Sequence, residues 1–161
     1  MKYKSYSKNL IYTGDKKVRE IKENELNDLL QLYLHLHESS LQEMSRHLEE
    51  VWLSIIKDEN HHIIVNEIDE KIVSSCVCVI IPNLTRNTRS YAFIENVVTH
   101  TDYRGRGYAS ECLNFAGKIA KKENCYKMML LTGSKDESTL NFYKNAGYNC
   151  ADKTAFIKWI K

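Results

Sequence analysis

Proline occurs once in the 161 residues, at Pro82, and glycine only six times. A chain this poor in both has no Pro-rich or Gly/Ser linker, and no internal repeat or low-complexity tract divides it. Long apolar runs are missing as well. The longest, Cys76-Val77-Cys78-Val79-Ile80-Ile81, halts at Pro82 and is too short to span a bilayer. Met1 to Lys8 is polar and lacks the apolar stretch of a signal peptide. Charge of one sign is also wanting: 23 Lys and Arg stand against 21 Asp and Glu, a net of +2. Without a strong field, and without basic clusters interleaved with aromatics, nucleic acid is not the expected partner. The five cysteines (Cys76, Cys78, Cys112, Cys125 and Cys150) are odd in number and form no Cys-x-x-Cys. Lying in or beside apolar runs, they are expected as reduced, mostly buried thiols. His35/His37 and His61/His62 lack the i,i+4 spacing that places two rings on one helix face, so no metal is expected. What remains is a cytoplasmic globular protein with no membrane partner, whose 43% hydrophobic content is enough for a real core.

Apolar periodicity sets the expected elements. Residues 1–17 read as an N-terminal extension, a tail or an extra strand over Asn9–Thr13, and residues 18–161 as one domain. Asn24 is a plausible N-cap, with Leu26, Leu29, Leu30, Tyr33 and Leu36 at helical spacing behind it. Ser39 and Ser40 break that run, and Leu41, Met44, Leu48, Val51, Trp52 and Ile55 mark a second amphipathic helix. Strands follow over Ile63–Ile68 and Lys71–Ile80, joined by a hairpin turn at Asp69-Glu70. After a polar loop from Pro82 to Ser90 come a strand over Ala92–Thr99, a helix from Tyr108 to Lys122 stopped at Asn124, and an apolar strand over Lys127–Thr132. A short helix from Glu137 to Ala146, closed by Gly147, precedes a last alternating strand, Ala155–Ile160. With a first strand over Lys17–Ile21 ahead of the helices, the order βααβββαβαβ is α/β with a mixed sheet.

So few glycines make the pair at 105 and 107 conspicuous. Arg104-Gly105-Arg106-Gly107-Tyr108-Ala109 lies between a strand and a helix N-terminus. A loop of this kind aims several free backbone N–H groups at one point, where the helix dipole and two arginines add positive charge. It is an anion site, and pyrophosphate is its natural guest. Gly105-x-Gly107-x-x-Ser110 is a poor dinucleotide fingerprint, since Ser110 replaces the third glycine and no acid ends the next strand at Leu130-Leu131-Thr132. A P-loop would need Gly-Lys-Ser/Thr, which does not occur.

Arg104-x-x-Gly107-x-Ala109 resembles the Gln/Arg-x-x-Gly-x-Gly/Ala loop of the GNAT superfamily of acyl-CoA-dependent N-acyltransferases. Ile94-Glu95-Asn96-Val97-Val98-Thr99 resembles that family's central strand, and Phe142-Tyr143-Lys144-Asn145-Ala146-Gly147-Tyr148 its Phe-Tyr-x-x-x-Gly-Phe/Tyr segment. The resemblance covers residues 18–161. It implies a mixed, mostly antiparallel sheet splayed between its two middle strands, with flanking helices, and acetyl-CoA as acyl donor. It further implies that Arg104, Gly105, Arg106, Gly107, Tyr108 and Ala109 hold the pyrophosphate, chiefly by backbone N–H groups. The backbone of Val97 and Val98 would pair with pantetheine. A homodimer is also compatible with it.

Acyl transfer from a thioester to an amine needs a base for the ammonium, a positioned amine, a stabilised oxyanion and a proton for the leaving thiolate. Tyr143 suits the last task, because a phenol with a pKa of ~10 is nearly matched to an alkyl thiol; the family resemblance assigns it the same role. As a bare pattern it is equally a packing aromatic spaced with Leu140 and Ala146. Glu95 is the candidate base: a carboxylate in an apolar strand needs a partner or a task. By strand alternation Asn96 is expected on the opposite face. Asp136 and Thr139 stand where many family members carry Asn and Ala. An ionised Asp cannot donate a hydrogen bond as that Asn would.

Two functions fit. The first is an N-acetyltransferase moving the acetyl group of acetyl-CoA to an amine of a small molecule or peptide by direct attack. The second is a non-catalytic acyl-CoA-binding or sensor module on the same fold. The survival of Tyr143 and Glu95 favours the enzyme. The acceptor is expected near His35, His37, Glu38 and the Pro82–Ser90 loop, where acids and arginines both occur, so charge does not choose its class.

Overall fold

The computed structural model describes residues 16–36 and 40–160. Five strands form one sheet in the order β1 (Lys16–Glu20), β2 (His61–Ile68), β3 (Lys71–Ile81), β4 (Tyr91–Thr99) and β5 (Met128–Leu130). Neighbours from β1 to β4 run antiparallel, and β4 and β5 are parallel, joined through a crossover helix. The helices are α1 (Leu26–Tyr33), α2 (Arg46–Lys57), α3 (Tyr108–Lys122) and α4 (Glu137–Asn145). The suggested strand over Asn9–Thr13, and His37 and Glu38, lie outside the described residues.

The sheet is covered on both faces, which explains the near-continuous apolar runs of β2 and β3. On one face Ile64, Cys76, Cys78, Ile80, Ala92 and Ile94 pack against Cys112, Leu113, Ala116 and Ala120 of α3. On the other, Ile63, Val65, Ile72, Val77 and Val98 meet Leu29 and Leu32 of α1 and Trp52 of α2. The Trp52 indole N–H donates to the Glu23 carbonyl at 2.8 Å, so the ring is buried without stranding its polar atom. Arg19 of β1 fastens this side: its guanidinium donates to both Glu25 oxygens at 2.7 and 2.6 Å and to Glu67 of β2 at 2.8 Å.

Local turn chemistry follows the sequence closely. Asp69 and Glu70 take φ of 49° and 63°, as a two-residue hairpin requires. Asn124 ends α3 at φ 53°, and Gly147 ends α4 at φ 89°. Four expectations need correcting. Asn24 sits inside a short 3-10 turn, Glu23–Glu25, and α1 stops at Tyr33 rather than running on to Leu36. The second helix starts only at Arg46, because Ser45 caps it by accepting from the Leu48 N–H at 3.2 Å; Leu41 and Met44 precede it, exposed. β5 is three residues long, since its pairing with β4 ends at Leu130. Finally, Ala155–Ile160 forms no strand and is exposed. It alternates as a strand should, but a strand exists only by pairing, and within one chain this segment finds no partner.

Candidate active site

The pairing between β4 and β5 is brief. Ala92, Phe93 and Ile94 face Met128, Met129 and Leu130, and from Glu95 onward β4 has no partner on that side. The sheet splays there, and the gap opens into a cavity of about 1250 Å³. One wall is β4 from Ile94 to Thr99; the opposite wall is Leu130 to Ser134 together with Phe142 and Tyr143 of α4. Gly105, Gly107, Tyr108 and Ala109 close one end, and His35 and Leu36 another.

The middle of β4 is irregular. Asn96 has φ of +50°, and the register with β3 shifts between Ser75 and Val77. This is a bulge, with one extra residue that reverses the phase of the strand. Its effect shows in the core: Ile94 packs under α3, whereas Val98, four residues on, packs under α1. In a regular strand the two would share a face. The expected separation of Glu95 from Asn96 therefore fails, and both line the cavity. Asn is among the few non-glycine residues that adopt this backbone readily. An asparagine within an apolar strand was the available signal. Burial pushes the pKa of the Tyr33 phenol up to about 12, with the nearby Asn96 side chain opposing the rise. Alternation thus missed Asn96 as a cavity residue, and helical spacing gave Tyr33 no role beyond packing.

The anion loop has the geometry its sequence implies. Gly105 and Gly107 take φ of +72° and +84°, a region where L side chains are strained, although a Cβ at either would meet nothing within 4 Å. The conformation, rather than space, demands glycine. The first hydrogen bond of α3 runs from the Glu111 N–H to the Gly107 carbonyl, and no side chain caps the helix. The N–H groups of Tyr108, Ala109 and Ser110 thus stand ahead of the ladder. Tyr108 itself is buried with Ile68 and Val73, so it offers the cavity its backbone.

The two arginines are arranged differently from each other. Arg104 lines the cavity, but its guanidinium donates to the carbonyls of Thr99 at 3.1 Å and His35 at 3.2 Å. Arg106 lies with its guanidinium 5.5 Å from the Tyr103 ring centre and is not among the lining residues. In the 82–90 loop, Arg89 donates to the carbonyls of Asn124 and Cys125 at 3.2 and 2.9 Å, and Arg86 stands over the Tyr126 ring. That loop does not line the cavity, and its arginines serve local structure.

Tyr143 is half-buried in the cavity wall, with Phe142 at 4.9 Å and Tyr148 at 6.2 Å between ring centres. Burial raises its pKa above the ordinary phenol value, and the negative charge of Glu95 contributes in the same direction. The two candidate catalytic groups thus come within electrostatic reach across the splay. Asp136, also on the rim, is spent on the fold: it caps α4 by accepting from the Thr139 N–H at 3.4 Å and from the Ser138 hydroxyl. At the far end His35 stacks on His100, with ring centres 4.2 Å apart. Burial, reinforced by Lys71 and His35, lowers the His100 pKa, so its imidazole is neutral at physiological pH. Among the described residues no group of His, Cys, Asp and Glu is arranged to hold a metal ion.

Residues 26–148 match the model of the acetyltransferase (GNAT) family. The chain belongs to that family, and it is an acetyltransferase. Glucosamine 6-phosphate N-acetyltransferase of Trypanosoma brucei brucei is 28% identical over 145 residues, spanning 86% of this chain and 92% of that protein. A provisionally named acetyltransferase of Agrobacterium tumefaciens superposes with a TM-score of 0.82 at 35% identity, covering 89% of this chain and 99% of the other. The glucosamine-6-phosphate N-acetyltransferase of Arabidopsis thaliana shares the fold, with a TM-score of 0.77 at 20% identity over 91% of this GNAT chain and 99% of its own.

Proposed function

We propose that this enzyme transfers the acetyl group of acetyl-CoA to the amine of a small molecule or peptide by direct attack. The observation that carries the reading is the joining of an uncapped α3 N-terminus to a splayed β4 in one cavity. Such a site suits a ligand with an anionic end and an extended polar arm. The N–H groups from 105 to 109 would hold the pyrophosphate, with Arg104 and Arg106 adding positive charge nearby. The stretch of β4 at Val97 and Val98, which has no strand partner on the β5 side, would accept the pantetheine arm on its backbone, and an N–H there would polarise the thioester carbonyl. Glu95 would take a proton from the attacking amine, and Tyr143, kept protonated by burial, would give one to the departing sulfur. Two groups suited to proton transfer favour this reading over a non-catalytic acyl-CoA sensor. The free thiols, with Cys76, Cys78 and Cys112 buried, Cys125 half-buried and Cys150 exposed, accord with a cytoplasmic setting.

The test is thiol release from acetyl-CoA with a panel of polyamines, amino sugars, amino acids and peptide N-termini. CoA should also raise the melting temperature by mass action, and Gly107→Val should abolish that shift by straining a backbone at φ +84°. Release with at least one acceptor is expected. A CoA shift with no release on any acceptor would make the chain a sensor. An undiminished shift in the Gly107 variant would move the anion site elsewhere.

A further inference from the structure

On the face of β2 that meets α3, the side chains run Ile64, Asn66, Ile68, and the middle one is polar. Asn66 is fully buried, at 0% exposure. Its Nδ2 donates to the Glu111 carboxylate at 2.6 Å and to the Tyr108 carbonyl at 3.4 Å, both in the first turn of α3. Carboxylate and carbonyl oxygens only accept, so they decide which end of the amide faces the helix. The other end, Oδ1, is buried and has no hydrogen-bond partner among the described residues. An amide left half-satisfied in a core costs folding free energy, a cost that a branched apolar side chain in its place would avoid. The fold alone gives this position little reason to be asparagine.

The effect of the bond follows from where it lands. α3 otherwise meets the sheet through apolar side chains, among them Cys112, Leu113, Ala116 and Ala120. Apolar packing is non-directional and tolerates a small rotation of the helix about its axis. The loop ahead of α3 offers no grip at Gly105 and Gly107, which have no side chains. Asn66 supplies the directional tie, from β2 to the turn whose N–H groups at Tyr108, Ala109 and Ser110 stand ahead of the helical ladder. The same contact manages a charge. Glu111 lies within one turn of those N–H groups, where a carboxylate facing the cavity would repel an incoming anion. One of its oxygens meets Asn66 and the other meets Lys16 of β1, whose ammonium also stands 5.2 Å from the Tyr108 ring centre. Held in this way, Glu111 is turned to the sheet and does not line the cavity.

We infer that Asn66 is a positioning residue for the anion loop: through Glu111 and the Tyr108 carbonyl it fixes the first turn of α3, so that the N–H groups there converge on the pyrophosphate of the acyl donor. The inference rests on the reading of that loop as the pyrophosphate site. Asn66 is not itself among the residues that line the cavity.

The test measures CoA affinity, steady-state kinetics and thermal stability in Asn66→Leu and in Asn66→Asp, the latter alone and with Glu111→Gln. Asn66→Leu should melt close to the parent, since the cost of the unpaired oxygen goes with the amide. CoA should nonetheless bind about tenfold more weakly, the scale of one hydrogen bond to a charged group. The KM for acetyl-CoA should rise in parallel, with kcat and the KM for the amine little changed. Asn66→Asp sets two carboxylates against each other and should bind CoA at least as poorly. Adding Glu111→Gln restores a donor across the contact and should return the affinity to within about threefold of the parent. Should the core variants fail to fold, Glu111→Ala breaks the same bond at a side chain one-third exposed. Hydrogen exchange at Glu111 and Cys112 should then quicken while residues 116–120 stay protected. Unaltered CoA affinity in the Asn66 variants, whatever their stability, overturns the inference, as does unaltered exchange in Glu111→Ala; the site reading stands in both cases if Gly107→Val still abolishes CoA binding. An Asp/Gln pair that binds as weakly as Asn66→Asp alone overturns the route through Glu111. CoA binding that survives Gly107→Val removes the site reading, and this inference with it.

Discussion

The Arg104 guanidinium donates to the His35 carbonyl at 3.2 Å, tying the turn after α1 to the loop that follows β4. A second bond from the same side chain, to the Thr99 carbonyl at 3.1 Å, anchors it to the end of the strand. An arginine beside a glycine loop at a helix N-terminus invites a phosphate role, yet two of its N–H donors are already directed at the protein. It holds the cavity's far wall in place.

If Arg104 is such a strut, Arg104→Ala should cost about 1–2 kcal/mol of stability, the scale of two exposed charge-assisted hydrogen bonds. The KM for the amine should rise, because His35 lines the end of the cavity where the acceptor is expected. CoA affinity should change by less than about threefold, whereas a lost direct phosphate contact would cost roughly tenfold or more. Urea unfolding and a CoA titration read the two quantities separately.

Tyr143→Phe keeps the ring stack with Phe142 and Tyr148 and removes only the hydroxyl. Turnover should fall by a factor of order 10²–10⁴, with CoA binding nearly unchanged. Because burial raises the phenol's pKa, the parent should stay active up to alkaline pH, losing rate only above the ordinary tyrosine value. The variant should lack that alkaline limb. Steady-state rates across a pH series check both points, and full activity in the variant would leave Tyr143 a packing aromatic.

Glu95→Gln preserves shape and removes the proton acceptor. On an alkyl amine with a pKa of ~9–10 the rate should drop steeply near neutral pH and recover in part at high pH, where the free amine is abundant. An arylamine, already neutral, should be much less affected. Equal losses on both acceptors would make Glu95 a positioning group.

The Arg19–Glu25–Glu67 cluster predicts an acid-sensitive fold. The side-chain bonds from Arg19 hold the Glu25 carboxyl well below its ordinary 4.5, at about 2. A depressed folded-state value means stability that is complete above the unfolded pKa and lost as pH falls from about 4.5 towards 2. Glu25→Gln should lower stability by about 1–3 kcal/mol at neutral pH and flatten the acid side of the stability curve. Thermal melts between pH 2 and pH 7 measure both.

What the sequence disclosed was whatever depends on local pattern. The Asp69-Glu70 turn, the Asn124 and Gly147 stops and the glycine loop all follow from residue type at fixed spacing, whereas the strand at 127–132, apolar enough to be covered on both faces, is only half-buried over Met128–Leu130. What it concealed depends on pairing. Period-two alternation sent Asn96 to the wrong side, because a single extra residue opposite Ser75–Val77 reverses the phase and leaves no trace in hydropathy. Helical spacing placed Leu41 and Met44 in a helix that Ser45 actually begins. Ala155–Ile160 has the composition of a strand, but composition does not supply a neighbour. Arg104 looked free to meet an anion, since nothing in its sequence surroundings reveals the carbonyls of Thr99 and His35.

The left-handed turn at Asn96 has a consequence for how this protein can change. Because the bulge sends two successive side chains into one cavity, positions 95 and 96 can be altered together while Ile94 and Val98 stay seated in their separate cores. This part of the cavity wall is thus partly uncoupled from the packing that holds the sheet. Selection for a new acceptor could draw on a pair of adjacent positions, with the constraint that the second of them tolerates positive φ. A regular strand would send the side chains of 95 and 96 to opposite faces of the sheet, and only one of the two could then be varied here.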